Sequence, residues 1–155
     1  MTSAITIREI TPADSEAAAE LSGQLGYPVS SEVMKSRIEA CRGMSHHAVF
    51  VACTADPERT VGWIDVSVVH HLQNEPYGEI GGLVVASDCR NGRIGQKLLR
   101  RAEEWITNEK KICRVVVRSQ IAREAAHRFY LREGYSRWKT SEVFAKELGR
   151  SSPGS

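Results

Sequence analysis

Three apolar runs, Ala48 to Cys53, Val61 to Val69 and Glu79 to Val85, follow one another with short connections, and then the pattern changes. From about Arg93 to Lys110 the apolar residues Ile94, Leu98, Leu99, Ala102, Trp105 and Ile106 recur at helical spacing. A nearly continuous apolar run, Ile112 to Val117, comes next and reads as a strand at the centre of a sheet covered on both faces. Short connections impose antiparallel pairing, and a strand–helix–strand unit imposes a parallel neighbour. A chain that carries both must build a mixed sheet.

The flanks complete the pattern. Ile5 to Ile10 alternates as a half-buried strand does. Thr11-Pro12-Ala13-Asp14 opens a helix with Thr11 as cap and Asp14 closing a capping box, and Ala17, Leu21 and Leu25 form its apolar face. Gly26-Tyr27-Pro28 ends it. A second helix from Ser30 or Ser31 to Gly43 turns Val33, Ile38 and Cys41 inward. Ala122 to Arg132 is a further amphipathic helix, with Ala122, Ala125, Ala126 and Phe129 on one face and Gly134 as its stop. Glu142 to Leu148, with Val143 and Ala145 against Phe144 and Lys146, is a last strand. The expected order is β-α-α-β-β-β-α-β-α-β, an α/β fold with helices on a central mixed sheet. A chain of 155 residues with 41% apolar content makes one domain, over residues 1–150, with a loose polar tail at 151–155.

Charge and cysteine content narrow the function. The net charge of +2 disfavours a general nucleic-acid binder, yet Arg90, Arg93, Lys97, Arg100 and Arg101 gather around one turn and helix, which suits a small polyanion. No apolar stretch approaches a membrane span, and Arg8 and Glu9 interrupt the N-terminal run, so neither membrane nor signal peptide is expected and the cytoplasm is the natural home. Cys41, Cys53, Cys89 and Cys113 match no zinc or redox spacing and read as free thiols, mostly buried. His46 and His47 lack a third ligand at a recognised spacing, so no metal is expected.

The stretch Leu83 to Leu99 carries the chemistry. A strand runs into a basic, glycine-containing turn that opens an amphipathic helix. The first N–H groups of a helix lack partners and bear partial positive charge, and glycine lets an anion approach them. The turn is therefore a candidate phosphate or pyrophosphate cradle, with a plain surface turn as the alternative. It lacks both the Gly-Lys-Ser/Thr ending of a P-loop and the Gly-x-Gly-x-x-Gly of dinucleotide folds.

Arg90-Asn91-Gly92-Arg93-Ile94-Gly95, following Val85 and leading into Leu98-Leu99, resembles the Arg/Gln-x-x-Gly-x-Gly/Ala acetyl-coenzyme A motif of the GNAT superfamily of N-acetyltransferases, with Arg93 where the first motif glycine stands. Ala126-His127-Arg128-Phe129-Tyr130-Leu131-Arg132-Glu133-Gly134-Tyr135 resembles a second segment of that family. The likeness runs from Ile5 to about Leu148. It implies a sheet splayed between its fourth strand, Glu79 to Val85, and its fifth, Ile112 to Val117, with acetyl-coenzyme A in the gap. It also implies transfer of the acetyl group to a primary amine of a small molecule by direct attack in a ternary complex.

By the same resemblance the coenzyme meets Leu83, Val84, Val85, Arg90, Asn91, Gly92, Arg93, Ile94, Gly95 and Gln96, with Ser119 and Gln120 on the pantetheine arm, or equally as a plain helix cap, and Arg123 where many members have Asn. A backbone N–H near Val85 stabilises the thioester oxygen, and Gly81-Gly82 fits a bulge or splay, or close packing under a helix. Tyr130 is the expected general acid for the departing thiolate. Strand periodicity would put Glu79, Gly81, Leu83 and Val85 on one face and makes Glu79 a candidate base, with His70, His71 and water as rivals. Some resemblance to aminoalkylphosphonate acetyltransferases favours a small amine. Aminoglycosides, polyamines, protein lysines or N-termini, a non-catalytic acyl-coenzyme A sensor, a nucleotide-binding module of another fold, and homodimer formation stay open.

Overall fold

The computed structural model describes residues 4–90, 93–119 and 123–149. The chain divides into two compact units, Met1–Arg118 and Ser119–Ser155. The first holds β1 (Ile5–Glu9), α1 (Ser15–Leu25), α2 (Ser31–Arg42), β2 (His47–Ala55), β3 (Glu58–His71), β4 (Asn74–Val85), α3 (Ile94–Glu104, continued by a π-helical turn to Glu109) and β5 (Val115–Val117). The second holds α4 (Glu124–Arg132).

The sheet order is β1-β2-β3-β4-β5, antiparallel except for the parallel β4–β5 pair. This is the mixed α/β sheet expected from the run of short connections followed by a helical crossover. Helices cover both faces. A Cβ on Gly62 would meet Ile94 and Leu98 of α3, whereas Trp63, the next residue, sends its indole N–H to Ala18 O of α1 at 3.2 Å. The α3 face holds Phe50, Ile64, Val66, Leu98, Leu99 and Ile106, all essentially without solvent contact. The other face packs Ile10, Ala18, Ile38, Val51 and Cys53 around Trp63.

The N-terminal capping box forms as the sequence indicates: Thr11 N–H donates to Asp14 Oδ2 at 2.8 Å. The same carboxylate is buried and takes a two-pronged bond from Arg8, 2.8 Å on each oxygen, plus the Thr60 hydroxyl at 3.2 Å. Burial opposes its charge, but the Arg8 guanidinium and the Thr11 and Thr60 donors outweigh that and hold the Asp14 carboxyl below the usual carboxylate range. Ser30 caps α2 by accepting from Val33 N–H at 3.2 Å.

Several expectations fail for local reasons. The fifth strand is not central: it occupies an edge among the described residues and shrinks to Val115–Val117, because Lys111 turns into the left-handed region at φ 59° and delays extension. Glu142 to Leu148 forms no strand; Val143, Phe144 and Leu148 stay exposed, and alternation alone makes no strand without a ladder partner. Val33 lies on the outer side of α2, 44% exposed, leaving Ile38 as that helix's buried residue. On α4, Ala125 is exposed and the half-buried stripe runs through Ala126, Phe129 and Tyr130; Ala122 lies outside the described residues. Cys53 is buried, Cys41 and Cys89 are half-buried and Cys113 is exposed, so the thiols are free but not mostly buried. The tail at 151–155 also lies outside the described residues.

Candidate active site

The gap opens where β5 stops. Gly78, Glu79 and Ile80 pair with Val115, Val116 and Val117, and β4 then continues to Val85 beyond the end of β5. Backbone polarity along that extension follows from the ladder with β3. Ala86 N–H donates to Val61 O at 2.7 Å, which makes Gly62↔Val85 a non-hydrogen-bonded pair. Val85 therefore turns its N–H and C=O away from β3, and Leu83, two residues earlier, does the same. The side vacated by β5 thus presents backbone donors from Leu83 and Val85.

A bulge corrects the expected side-chain placement. The register shifts between Asp65 and Val66: Asp65 faces Gly82, but Val66 faces Ile80, so Gly81 is the extra residue. Leu83 and Val85, opposite Ile64 and Gly62, face α3. Glu79, opposite Ser67, faces α1 and α2 together with Gly82 and Val84. Glu79 and Val85 are therefore not on one face. The bulge that Gly81-Gly82 suggests is present, and it overturns the simple alternation across it.

The α1/α2 face then carries a polar row. Arg118 Nε donates to Glu79 Oε1 at 2.9 Å, and His47 Nε2 donates to Asp65 Oδ1 at 2.9 Å. The hydrogen bond that His47 donates to Asp65 raises the His47 pKa despite burial of the ring. Sequence reading missed both partnerships; the one visible signal was Asp65 as a lone carboxylate inside the apolar run Val61 to Val69. His70, a rival base, lies instead beside a cavity of about 660 Å³ with His46, Lys110, Lys111 and Arg114, at the opposite end of β4 from Val85. His71 stacks near Tyr77, ring centroids 6.1 Å apart.

The turn from β4 to α3 is braced on three sides. Arg90 folds back, its Nε donating to Val85 O at 3.3 Å. Ser87 N–H donates to Gln24 Oε1 at 3.1 Å, and Arg59 grips Asp88 with bonds of 2.9 and 3.1 Å. Arg93 caps α3 in the left-handed conformation, φ 59° and ψ 22°, which explains why the motif prefers glycine there. Its side chain is exposed. Ile94 sends its side chain into the core, so its contribution to a ligand is limited to its backbone N–H in the first helical turn. Asn91, Gly92 and Gln120 lie outside the described residues.

In the second unit, Tyr130 is half-buried, its ring edge-on to Phe129 and Tyr135. Burial raises its phenol pKa, with Arg123 at the head of α4 pulling the other way. Ser119 Oγ is buried without a hydrogen-bond partner among the described residues. Within the first unit, outward strand donors and a helix N-terminus are groups that a pantetheine arm and a diphosphate could meet.

The sequence model of the acetyltransferase (GNAT) family matches residues 15–135. The chain belongs to the GNAT family. It is accordingly an acetyl-coenzyme A-dependent N-acetyltransferase. An aminoglycoside N(6')-acetyltransferase type 1 of Stenotrophomonas maltophilia is 34% identical over 108 residues, 66% of this chain and 68% of that protein. An aminoalkylphosphonate N-acetyltransferase of Salmonella typhimurium is 41% identical over 76 residues, 48% of this chain and 49% of that protein, so the match spans about half of it. Among solved structures, an aminoglycoside N-acetyltransferase in complex with coenzyme A superposes with TM-score 0.82 at 18% identity, covering 96% of this chain and 98% of that one. The fold is the GNAT fold. No helix among the described residues is long and apolar enough to cross a membrane.

Proposed function

We propose that this GNAT enzyme acetylates a primary amine of a small cationic molecule by direct attack within a ternary complex. The observation that carries this reading is that β4 bears both outward backbone donors, at Leu83 and Val85, and, further back along the strand beside β5, Glu79 on the α1/α2 face. Coenzyme A lies with its diphosphate against Arg90 and the start of α3 and its pantetheine along the length of β4 beyond β5. Residues 1–150 act as one catalytic domain.

Distance along the strand constrains the roles. Six residues separate Glu79 from Val85, roughly 20 Å at about 3.3 Å per residue. A thioester beside Val85 would be out of reach of Glu79. The Val85 donor therefore serves the pantetheine amide, and the thioester oxygen lies nearer Leu83, whose N–H stabilises it as negative charge develops. Glu79, held by Arg118 through Oε1, turns Oε2 to the acceptor's ammonium or to a water that removes its proton. Tyr130 returns a proton to the departing thiolate; its raised pKa keeps it protonated at neutral pH.

The two curated relatives support a small amine over a protein lysine: one acts on an aminoglycoside and the other on an aminoalkylphosphonate. The test is thiol release from acetyl-coenzyme A across a panel of aminoglycosides, aminoalkylphosphonates, polyamines, amino acids and lysine peptides. Turnover on a small amine at kcat/KM at least tenfold above any lysine peptide is expected. Turnover confined to peptides would overturn the reading.

A further inference from the structure

The turn that feeds the diphosphate cradle is anchored from outside its own strand and helix. Arg59 stands at the start of β3, 29 residues earlier in the chain than Asp88, and forms a fork-to-fork pair with it: Nη1 to Oδ2 at 2.9 Å and Nη2 to Oδ1 at 3.1 Å. Asp88 lies in the short 3-10 turn Ser87–Cys89, immediately before Arg90. Both side chains are largely exposed, 48% and 61%, so the pair stabilises the fold little. Its geometry nevertheless fixes the turn that leads into the proposed diphosphate cradle, and Gln24 at the end of α1 holds the neighbouring Ser87 N–H from a second direction.

We propose that Arg59 and Asp88 are positioning residues for acetyl-coenzyme A: the pair presets the turn before the cradle, so that its N–H groups need not be ordered when the diphosphate arrives. The inference rests on the proposed cradle at Arg90 and the start of α3. An ordered turn lowers the entropy lost on binding. The effect should therefore appear in the KM for acetyl-coenzyme A and not in the chemical step. The fork also predicts that Lys is a poor substitute for Arg59, because a point charge cannot hold both carboxylate oxygens in one plane.

The experiment is steady-state kinetics of Arg59→Ala, Asp88→Ala and their double variant, Arg59→Lys, the single reversals Arg59→Asp and Asp88→Arg, and the charge-swapped Arg59→Asp/Asp88→Arg protein, with melting temperatures alongside. Arg59→Ala should raise the KM for acetyl-coenzyme A about two- to five-fold, the size an exposed ion pair can carry. The kcat, the acceptor KM and the melting temperature should hold. Arg59→Lys should recover part of the loss, and the swapped pair should exceed either single reversal. The wild-type advantage should fade as salt screens the pair. An unchanged KM at low salt, additive effects of Arg59→Ala and Asp88→Ala, or a fall in kcat and melting temperature without a KM change would each overturn the proposal. Gly95→Val separates this from the cradle itself. If it leaves acetyl-coenzyme A binding intact, the cradle reading fails; if it weakens binding while Arg59→Ala does not, only the positioning role fails.

Discussion

Replacing Arg93 by glycine should make this enzyme more stable and a poorer binder of acetyl-coenzyme A. Arg93 holds φ 59° and ψ 22° at the start of α3. For a residue with a Cβ that conformation costs roughly 1–2 kcal/mol, and glycine removes the clash. Glycine also loosens the unfolded chain, which returns about 0.4–1 kcal/mol of that gain. The net is a stabilisation of about 0.5–1 kcal/mol. At roughly 2–4 °C per kcal/mol for a chain of this size, the melting temperature should rise by about 1–4 °C. Arg93→Ala is the control, since it deletes the same guanidinium and keeps the strained backbone. Thermal unfolding without ligand should rank Gly above Ala, with Ala close to wild type. Both variants lose a cation beside the diphosphate, and their KM for acetyl-coenzyme A should rise about two- to five-fold. A glycine variant that melts no higher than the alanine one would refute the claim that the position is strained.

Four further outcomes follow from the same geometry. Asp14→Asn should cost about 2–4 kcal/mol in urea unfolding, toward the lower end because Arg8 is 37% exposed and can rehydrate. Because the Asp14 pKa is lowered in the folded state, its contribution is complete above the unfolded value near 3.9 and is lost as pH falls through the folded one; acid unfolding of wild type but not of Asp14→Asn should show that loss. Gly62→Ala should cost about 1–3 kcal/mol, since the new Cβ would lie 2.9 Å from Val84 O and 3.1 Å from Leu98 Cδ1, and backbone cannot step aside. Tyr130→Phe should lower kcat about ten- to a thousand-fold with stability and coenzyme affinity preserved, whereas Glu79→Gln should show a defect that shrinks as pH rises past the acceptor amine's pKa.

The architecture was legible because the chain switches period cleanly. The short β2–β3 and β3–β4 connections and the α3 stripe at Ile94, Leu98, Leu99 and Ala102 specify an antiparallel meander followed by a crossover. The proposal of a phosphate-binding turn rests on Arg90 and Gly95 in the sequence. Less legible was anything decided by partners distant in sequence. The pairs Glu79–Arg118, His47–Asp65 and Arg59–Asp88 join residues 39, 18 and 29 apart, and no local periodicity encodes them. The facing of Glu79 depended on one extra residue, Gly81, which inverts every side chain beyond it. Ile112 and Val143 show the opposite failure: an apolar run in one case and apolar alternation in the other are present, but Ile112 follows a left-handed Lys111 and bonds back to Ile106 O at 3.0 Å, and Val143 lies in no strand.

The central claim is transfer of an acetyl group straight from coenzyme A to a small primary amine. Isotope-labelled acetyl-coenzyme A, enzyme and an aminoglycoside or aminoalkylphosphonate can be mixed and resolved by mass spectrometry, with initial rates measured while both substrates are varied. The account predicts the label on the amine nitrogen, no label on the protein, thiol release only when the amine is present, and intersecting double-reciprocal lines. Label retained on a protein side chain with parallel lines, or thiol release that ignores the amine, would contradict it.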